Sequence, residues 1–402
     1  MSVCAGVGIS NNSNHRVAVA EALYQAKASL QGKRISLVIV LSSFEFVSHE
    51  LLEAIGDFAG KGVPLIGATS SAILDQEGIK RHALCIALIS AEEARFNIAA
   101  INNNTPSSLE ENGSKLGKEL LSGIRSTGRR FCLSLTDGLV IDNLPFLRGI
   151  QQILGQSFPI IGATTASDNV YLHKTHQFCN RNVLTKTTVG LLCAGKVNFG
   201  FSIKHGWKPI GKPHYVNSTS NEFTIKEIEN KPAALLYEDY FAKNKAELKK
   251  ELSRISCLYP LGIDISQKGD YLLRNIIQIE KDGCLVCRGD VPAKSNIRLM
   301  IGNKESCLQA AEQAAKEAKE SLAMQAFPRK APAKIVFVFN SVSRLYLLGR
   351  RMAKELDIIR SHFPHTPIIG LCTFGEIGPL KTTEFVGKTY SHNQSISILA
   401  IS

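Results

Sequence analysis

Three times along this chain, a short apolar run gives way to helical spacing and then to a second apolar run opening on proline. The first runs are Ile35 to Leu41, Phe131 to Leu135 and Lys334 to Phe339. Apolar residues at three- and four-residue intervals follow in HELLEAIGDFAGKG, NLPFLRGIQQILGQSF and YLLGRRMAKELDIIRSHF, and that period predicts helices. Each passage ends in one phrase: PLIGATSSAIL from Pro64, PIIGATTASDN from Pro159 and PIIGLCTFGEIG from Pro367. The first runs begin 29, 28 and 32 residues before the phrase (35 to 64, 131 to 159, 335 to 367), the length of a βαβ unit with a right-handed crossover. Proline opens each second strand, where no ladder donor is lost, and glycine marks a close backbone approach. A further apolar run follows each phrase: HALCIALIS, TTVGLLCAG and QSISILAIS. The expected fold is α/β: repeated βαβ-β units forming two modules with parallel and mixed sheets.

The texture changes between residues 201 and 330. HGWKPIGKPHYVNSTSNEF, rich in Gly, Pro and Asn, reads as a linker leading into strands. SCLQAAEQAAKEAKESLA is a strong helix former. A boundary near residue 210 divides the chain into 1–209 and 210–402.

Composition narrows the class. At 402 residues, 44% hydrophobic and 20% charged, the chain has ample core for two or three domains. The N-terminus lacks a signal-peptide pattern and no apolar run reaches bilayer-spanning length, so no membrane insertion is expected. Ten cysteines fall singly in apolar runs, which suits a reducing cytoplasm. The net charge of +12 invites a nucleic-acid reading, but the lysines are dispersed and aromatics are 7%, so none is expected. Cys284-Leu-Val-Cys287 sits between glycines in a strand context and reads as two ordinary thiols. GxGxxG after a strand, P-loop, GxSxG and HExxH patterns are all missing, which weakens an enzyme reading.

Polar residues repeat inside the phrase. Counting from the glycines, Thr165 and Asp168 align with Thr373 and Glu376; the first copy keeps a hydroxyl, Ser70, but has Ile73 at the acid's place. The phrase ends a strand, and open α/β sheets bind ligands at strand C-termini. A carboxylate there suits an amino group or hydroxyl. Gly375 and Gly378 bracket Glu376, Asn340 and Arg344 end the preceding strand and begin its helix, and His392 and Asn393 precede the last strand. These ten residues form the candidate ligand set. Arg344 suits a ligand carboxylate or an internal pair with Glu376, and His392 a structural role.

AGVGISNNSN, TDGL, PIIGATTASDN, GLCTFGEIGP and SHNQSISILAI, with PAALLYEDYF, YLLRNIIQIEKDG and NSVSRLYLLG, resemble the FIST family of sensory proteins over nearly the whole chain. The most specific part is GExGP followed by HNQ. One departure is Ser341, where many members carry cysteine. The resemblance implies FIST N- and C-terminal domains over 1–209 and 210–402, and a cytoplasmic, non-catalytic ligand sensor. Stand-alone members include nitric-oxide-sensing haem proteins that regulate a histidine kinase or cyclic-di-GMP enzymes, a diguanylate cyclase or phosphodiesterase. On that reading haem b is the cofactor, His176, His173, His214 and His205 are its axial candidates, and a homodimer is one arrangement open to it. An amino-acid-like ligand is the alternative. An enzyme using Glu376 or Asp168 as general base on a small molecule is another.

Overall fold

The computed structural model describes residues 3–104, 107–124, 128–168, 174–265, 270–326, 332–380 and 388–402. Each of the three phrases lies in a parallel pair with its preceding run: Leu37–Ser42 with Leu65–Thr69, Arg129–Thr136 with Ile160–Thr164, and Ile335–Ser341 with Ile368–Thr373. The crossovers contain the expected helices His49–Ala59, Leu144–Leu154 and Met352–His362. The return strands Leu84–Ser90, Thr187–Gly195 and Ile396–Ile401 run antiparallel to the opening strands.

The phrase itself follows from backbone contact. Pro64, Pro159 and Pro367 each turn a carbonyl to an N–H of the opening strand and have no donor to strand. A Cβ on Gly67, Gly162 or Gly370 would lie 2.0, 1.9 or 2.3 Å from a carbonyl oxygen of that strand. Only glycine permits that approach.

Every unit begins one step earlier than the sequence pattern suggested. Cys4–Ser10, Ala94–Asn102 and Phe199–Lys204 flank the return strands, and the helices His15–Ala28, Leu109–Ser122 and Lys304–Ala326 belong to the successive units. In the third unit the first strand and its helix are separated by an inserted sheet covering roughly residues 207–302. The stretch expected to be a linker is there a strand, Trp207–Asn221, pairing with Asn296–Gly302. Its register shifts between Ile210 and His214, so Gly211 (φ 67°) and Pro213 fall in a bulge that accepts them. The boundary expected near 210 falls inside this strand. The helix expected from Tyr346 to Phe363 is broken: Val342–Leu348 stops at Gly349 (φ 52°), and Met352–His362 restarts the helix.

The units interlock. After each phrase the chain leaves its own sheet and lends a hairpin to the next. Ile73–Leu74 from the first unit pairs with the third unit's Ile368–Thr373. Gly375–Pro379 from the third pairs with the second unit's Ile160–Thr164, and Gln177–Cys179 from the second pairs with the first unit's Leu65–Thr69. Among the described residues this gives three six-stranded sheets of one strand order. Their inner faces enclose a shared core of Leu41, Ile66, Leu133, Leu135, Phe337, Leu371 and their neighbours, while helices cover the outer faces. Burial on both faces explains the continuous apolar runs, and each such side chain contributes about 1.5–3 kcal/mol. The inserted sheet has a core of its own, around Tyr237, Leu261 and Ile297.

Candidate functional site

At the C-terminal ends of the strands this apolar core gives way to polar side chains. Three equivalent positions per unit face inward there, as strand alternation requires. They are Ser43, Ser70 and Ala83 in the first unit, Asp137, Thr165 and Thr187 in the second, and Ser341, Thr373 and Ser395 in the third. The same backbone bonds set the equivalence: Ser43, Asp137 and Ser341 donate their N–H to the carbonyls of Ala83, Thr187 and Ser395. All nine are buried, and eight carry a hydroxyl or carboxyl group. Apolar residues would serve the core better, so this polar ring is the candidate site.

The lent strands aim three further side chains at the ring from equivalent register positions. Ile73 lies opposite Leu371, Gln177 opposite Ala68, and Glu376 opposite Ala163. Glu376 is wholly buried; its Oε1 accepts from Thr373 Oγ1 (2.6 Å), and its Oε2 from Ser395 Oγ (2.5 Å) and Ser395 N (3.1 Å). Burial raises its carboxyl to about 7, against the downward pull of these bonds and of the Arg344 charge. Gln177 donates to Thr165 Oγ1 (2.9 Å) and Thr175 Oγ1 (3.1 Å), and Thr175 donates to Asp137 Oδ1 (2.7 Å). The side-chain oxygen of Gln177 and Nδ1 of neighbouring His176, both buried, have no hydrogen-bond partner among the described residues.

Thr165, Thr373 and Glu376 are therefore brought to one ring. Asp168 is not. Its apparent alignment with Glu376 fails because the second unit has a longer passage between its phrase and its lent strand, so Gln177 takes the acid's place. Asp168 instead lies at the rim, where its Oδ1 accepts from Phe44 N (3.0 Å). Arg344 and Asn340 are committed to a buried network. Arg344 pairs with Glu355 and donates to the carbonyls of His205 (3.0 Å) and Cys307 (2.9 Å) and to Asn340 Oδ1 (3.1 Å). Asn340 also donates to Glu355.

The HNQ triplet fastens the inserted sheet to the third unit. His392 Nε2 meets Gly378 O at 3.1 Å, and burial drives its imidazole down to about 3. Asn393 Oδ1 accepts from Asn275 N (3.1 Å), and Gln394 donates to the carbonyls of Ser256 (3.0 Å) and Cys257 (2.9 Å). Gly378 is a packing glycine: a Cβ there would lie 2.3 Å from the ring of Phe201. Gly375 sits between His392 O and Thr164 Oγ1.

The haem candidates are scattered. His173 lies outside the described residues. His205 accepts from the N–H groups of Gly206 (3.0 Å) and Trp207 (3.1 Å) through Nδ1, bonds the backbone of Tyr271, and is lowered to about 4 by burial. His176 packs against Phe44 at 5.3 Å between ring centroids. His214 lines an open cleft of about 390 Å³ on the inserted sheet, with Ile228, Leu235, Leu236, Tyr240, two lysines, Lys212 and Lys231, and two carboxylates, Glu229 and Asp239. Cys284 and Cys287 are free thiols in or beside the strand Leu285–Cys287, and burial raises both.

Sequence reasoning missed Gln177, Asp137 and Ser395. TDGL contains Asp137 and HNQS contains Ser395, so both stood in recognised motifs, but nothing local marks them as inward-facing. Arg288, from the inserted sheet, donates to Gly138 O (2.8 Å) and lies over the Phe374 ring at 5.7 Å; it was not foreseeable at all.

The chain belongs to the FIST family: the FIST N domain matches residues 36–231 and the FIST C domain residues 233–379. FIST domains are generally small-ligand-sensing signal-transduction domains. The first stretch takes in most of units one and two, and the second most of the inserted sheet and unit three. A search of curated proteins by sequence finds no match. Among solved structures, cyanuric acid hydrolase from A. caulinodans aligns over 100% of this chain and 99% of its own at 9% identity and a TM-score of 0.36. A second cyanuric acid hydrolase aligns over 100% of both chains at 7% identity and 0.33. PurLQS from Thermotoga maritima aligns over 99% of this chain and 72% of its own at 8% and 0.23. These likenesses are too distant to carry an argument. No helix among the described residues is long and apolar enough to cross a membrane.

Proposed function

We propose that this protein is a non-catalytic sensor of a small, amine-bearing, amino-acid-like molecule taken up at the polar ring. The observation that carries this reading is Gln177 Oε1, a buried acceptor left without a partner among the described residues, on a side chain that reaches Thr165 in the ring. Buried polar atoms are nearly always satisfied, and an orphan acceptor on the ring calls for a donor. An ammonium group supplies several donors, and Asp137 offers it a carboxylate. Arg288, next to Gly138 and Phe374, suits the ligand's own carboxylate. Because lent hairpins close the ring, binding there bears on how the three units lock. That is the movement a histidine kinase or a cyclic-di-GMP enzyme would read.

The test is a thermal-shift and calorimetric screen of amino acids and polyamines on the wild type and on Gln177→Leu and Asp137→Asn. The reading expects a saturable binder that both variants lose, with Gln177→Leu keeping its thermal stability. A binder indifferent to both substitutions sinks it. Turnover of the ligand, abolished by Glu376→Gln, would establish the enzyme reading instead.

A second reading rests on the His214 cleft, which combines an imidazole whose pKa burial lowers with apolar walls, two lysines and two carboxylates. Those residues fit haem: His214 as axial ligand, Leu235, Leu236 and Ile228 against the ring, and Lys212 and Lys231 for the propionates. Bound haem would supply the nitric oxide site. Haemin titration of the wild type, His214→Ala and His176→Ala decides it. A one-to-one Soret band lost only in His214→Ala is expected, and equal bands in all three rule the cleft out.

A further inference from the structure

Above the ring, where the first and second units meet, three side chains from three separate segments converge. Glu45 follows the opening strand of the first unit, His82 precedes its return strand, and Asp168 follows the phrase of the second. His82 Nδ1 lies 2.7 Å from Glu45 Oε2 and 3.9 Å from Asp168 Oδ2, and one ligand atom from each residue falls within 4.8 Å of the others. We propose that Glu45, His82 and Asp168 bind a divalent transition-metal ion such as Mn²⁺ or Zn²⁺, which clamps the first unit to the second at the rim of the ring.

Three features beyond proximity support it. Both carboxylates are oriented by their second oxygens: Ser43 Oγ donates to Glu45 Oε1 (3.3 Å), and Phe44 N donates to Asp168 Oδ1 (3.0 Å). That leaves the converging oxygens to face the imidazole, as outer partners do for metal ligands. His82 holds a left-handed backbone (φ 57°), unusual for a residue with a side chain and costly unless the surroundings fix it. One imidazole with two carboxylates also suits first-row divalent ions, whose ligand distances are about 2.0–2.2 Å. Arg81 is the opposing charge felt by His82. The site accounts for Asp168 as well, the acid that the repeat appeared to place inside the ring.

Ions also bind thiols, and the chain has ten cysteines, so Mn²⁺ is the discriminating probe. Untagged, chelator-treated protein is titrated with Mn²⁺ and free ion followed by electron paramagnetic resonance; Zn²⁺ calorimetry is the second readout. One ion per chain is expected, with affinity falling at least tenfold in His82→Ala and in Asp168→Asn, and unchanged in Glu280→Gln at the other acidic cluster with a cysteine. These are rim side chains, so circular dichroism is expected to stay as in the wild type. Should a variant misfold, Glu45→Gln repeats the test at the third ligand. Absence of stoichiometric Mn²⁺ binding overturns the proposal. So does affinity that is equal in the wild type, His82→Ala and Asp168→Asn, which would place the ion elsewhere.

Discussion

The second and third units build the same arch from different chemistry. In the third, Thr373 and Glu376 stand three residues apart, and a buried carboxylate sits between two hydroxyls. In the second, the chain takes a longer route from Thr165 and returns with an amide, Gln177, under the same kind of hydroxyl. Both side chains come off the lent strand at one register. The acid is fully satisfied; the amide leaves its oxygen unpaired. The first unit, with Ile73 at that register, shows that the fold needs no polar group there at all. The polar versions thus reflect something other than folding, and the unpaired one is better placed to meet a ligand.

The largest effect should come from the charges behind the third arch, which the second lacks. Glu355→Ala leaves Arg344 buried and unpaired, and urea unfolding should show a loss of about 3–5 kcal/mol. Replacing both residues by apolar ones of similar volume should recover most of it; an undamaged single variant breaks the contrast. Next comes pH. Glu376 has a folded pKa of about 7 against an ordinary value of 4.5, so the folded state holds its proton more tightly. Stability from this group is full below about 4.5 and is lost as pH rises through 7, on the order of 3 kcal/mol in all. The difference between wild-type and Glu376→Gln melting curves across pH 4–8 isolates it, and Gln177→Glu should create a similar dependence in the second arch.

Hydroxyl removal sharpens the comparison further. Thr373→Ala takes a partner from a buried carboxyl and should cost about 1–3 kcal/mol, more than Thr165→Ala, whose neutral amide partner keeps Thr175. Chemical denaturation at pH 7 ranks the two. The smallest effect belongs to Asp168→Asn, within about 0.5 kcal/mol in metal-free protein, as for other rim positions. A loss near that of Glu376→Ala would return Asp168 to the ring.

Much of this was written locally. Apolar runs buried on both faces, the helical period and the Pro and Gly of the phrase depend on neighbours a few residues away, so the three βαβ-β units and their strand ends were legible. The positions of Thr165 and Thr373 were legible because a hydroxyl ending a strand is a local feature, and Glu376 because it follows Thr373 by three residues. The inserted sheet was not recognised as an insertion, because a bulged strand with two prolines has the composition of a linker. Asp168 and Gln177 exchanged places because counting along the chain assumes equal loops.

The sequence by itself determined the repeat, the strand ends and the apolar core, since each follows from periodicity and from the steric demands of single residues. Only the tertiary structure decided that each unit gives a hairpin to the next. That exchange carries Glu376 and Gln177 into the ring, and the meeting of the first and second units sets Asp168 beside His82. Such pairings join residues dozens to hundreds of positions apart, and their partners are chosen by which surfaces pack. No short stretch of sequence carries that choice.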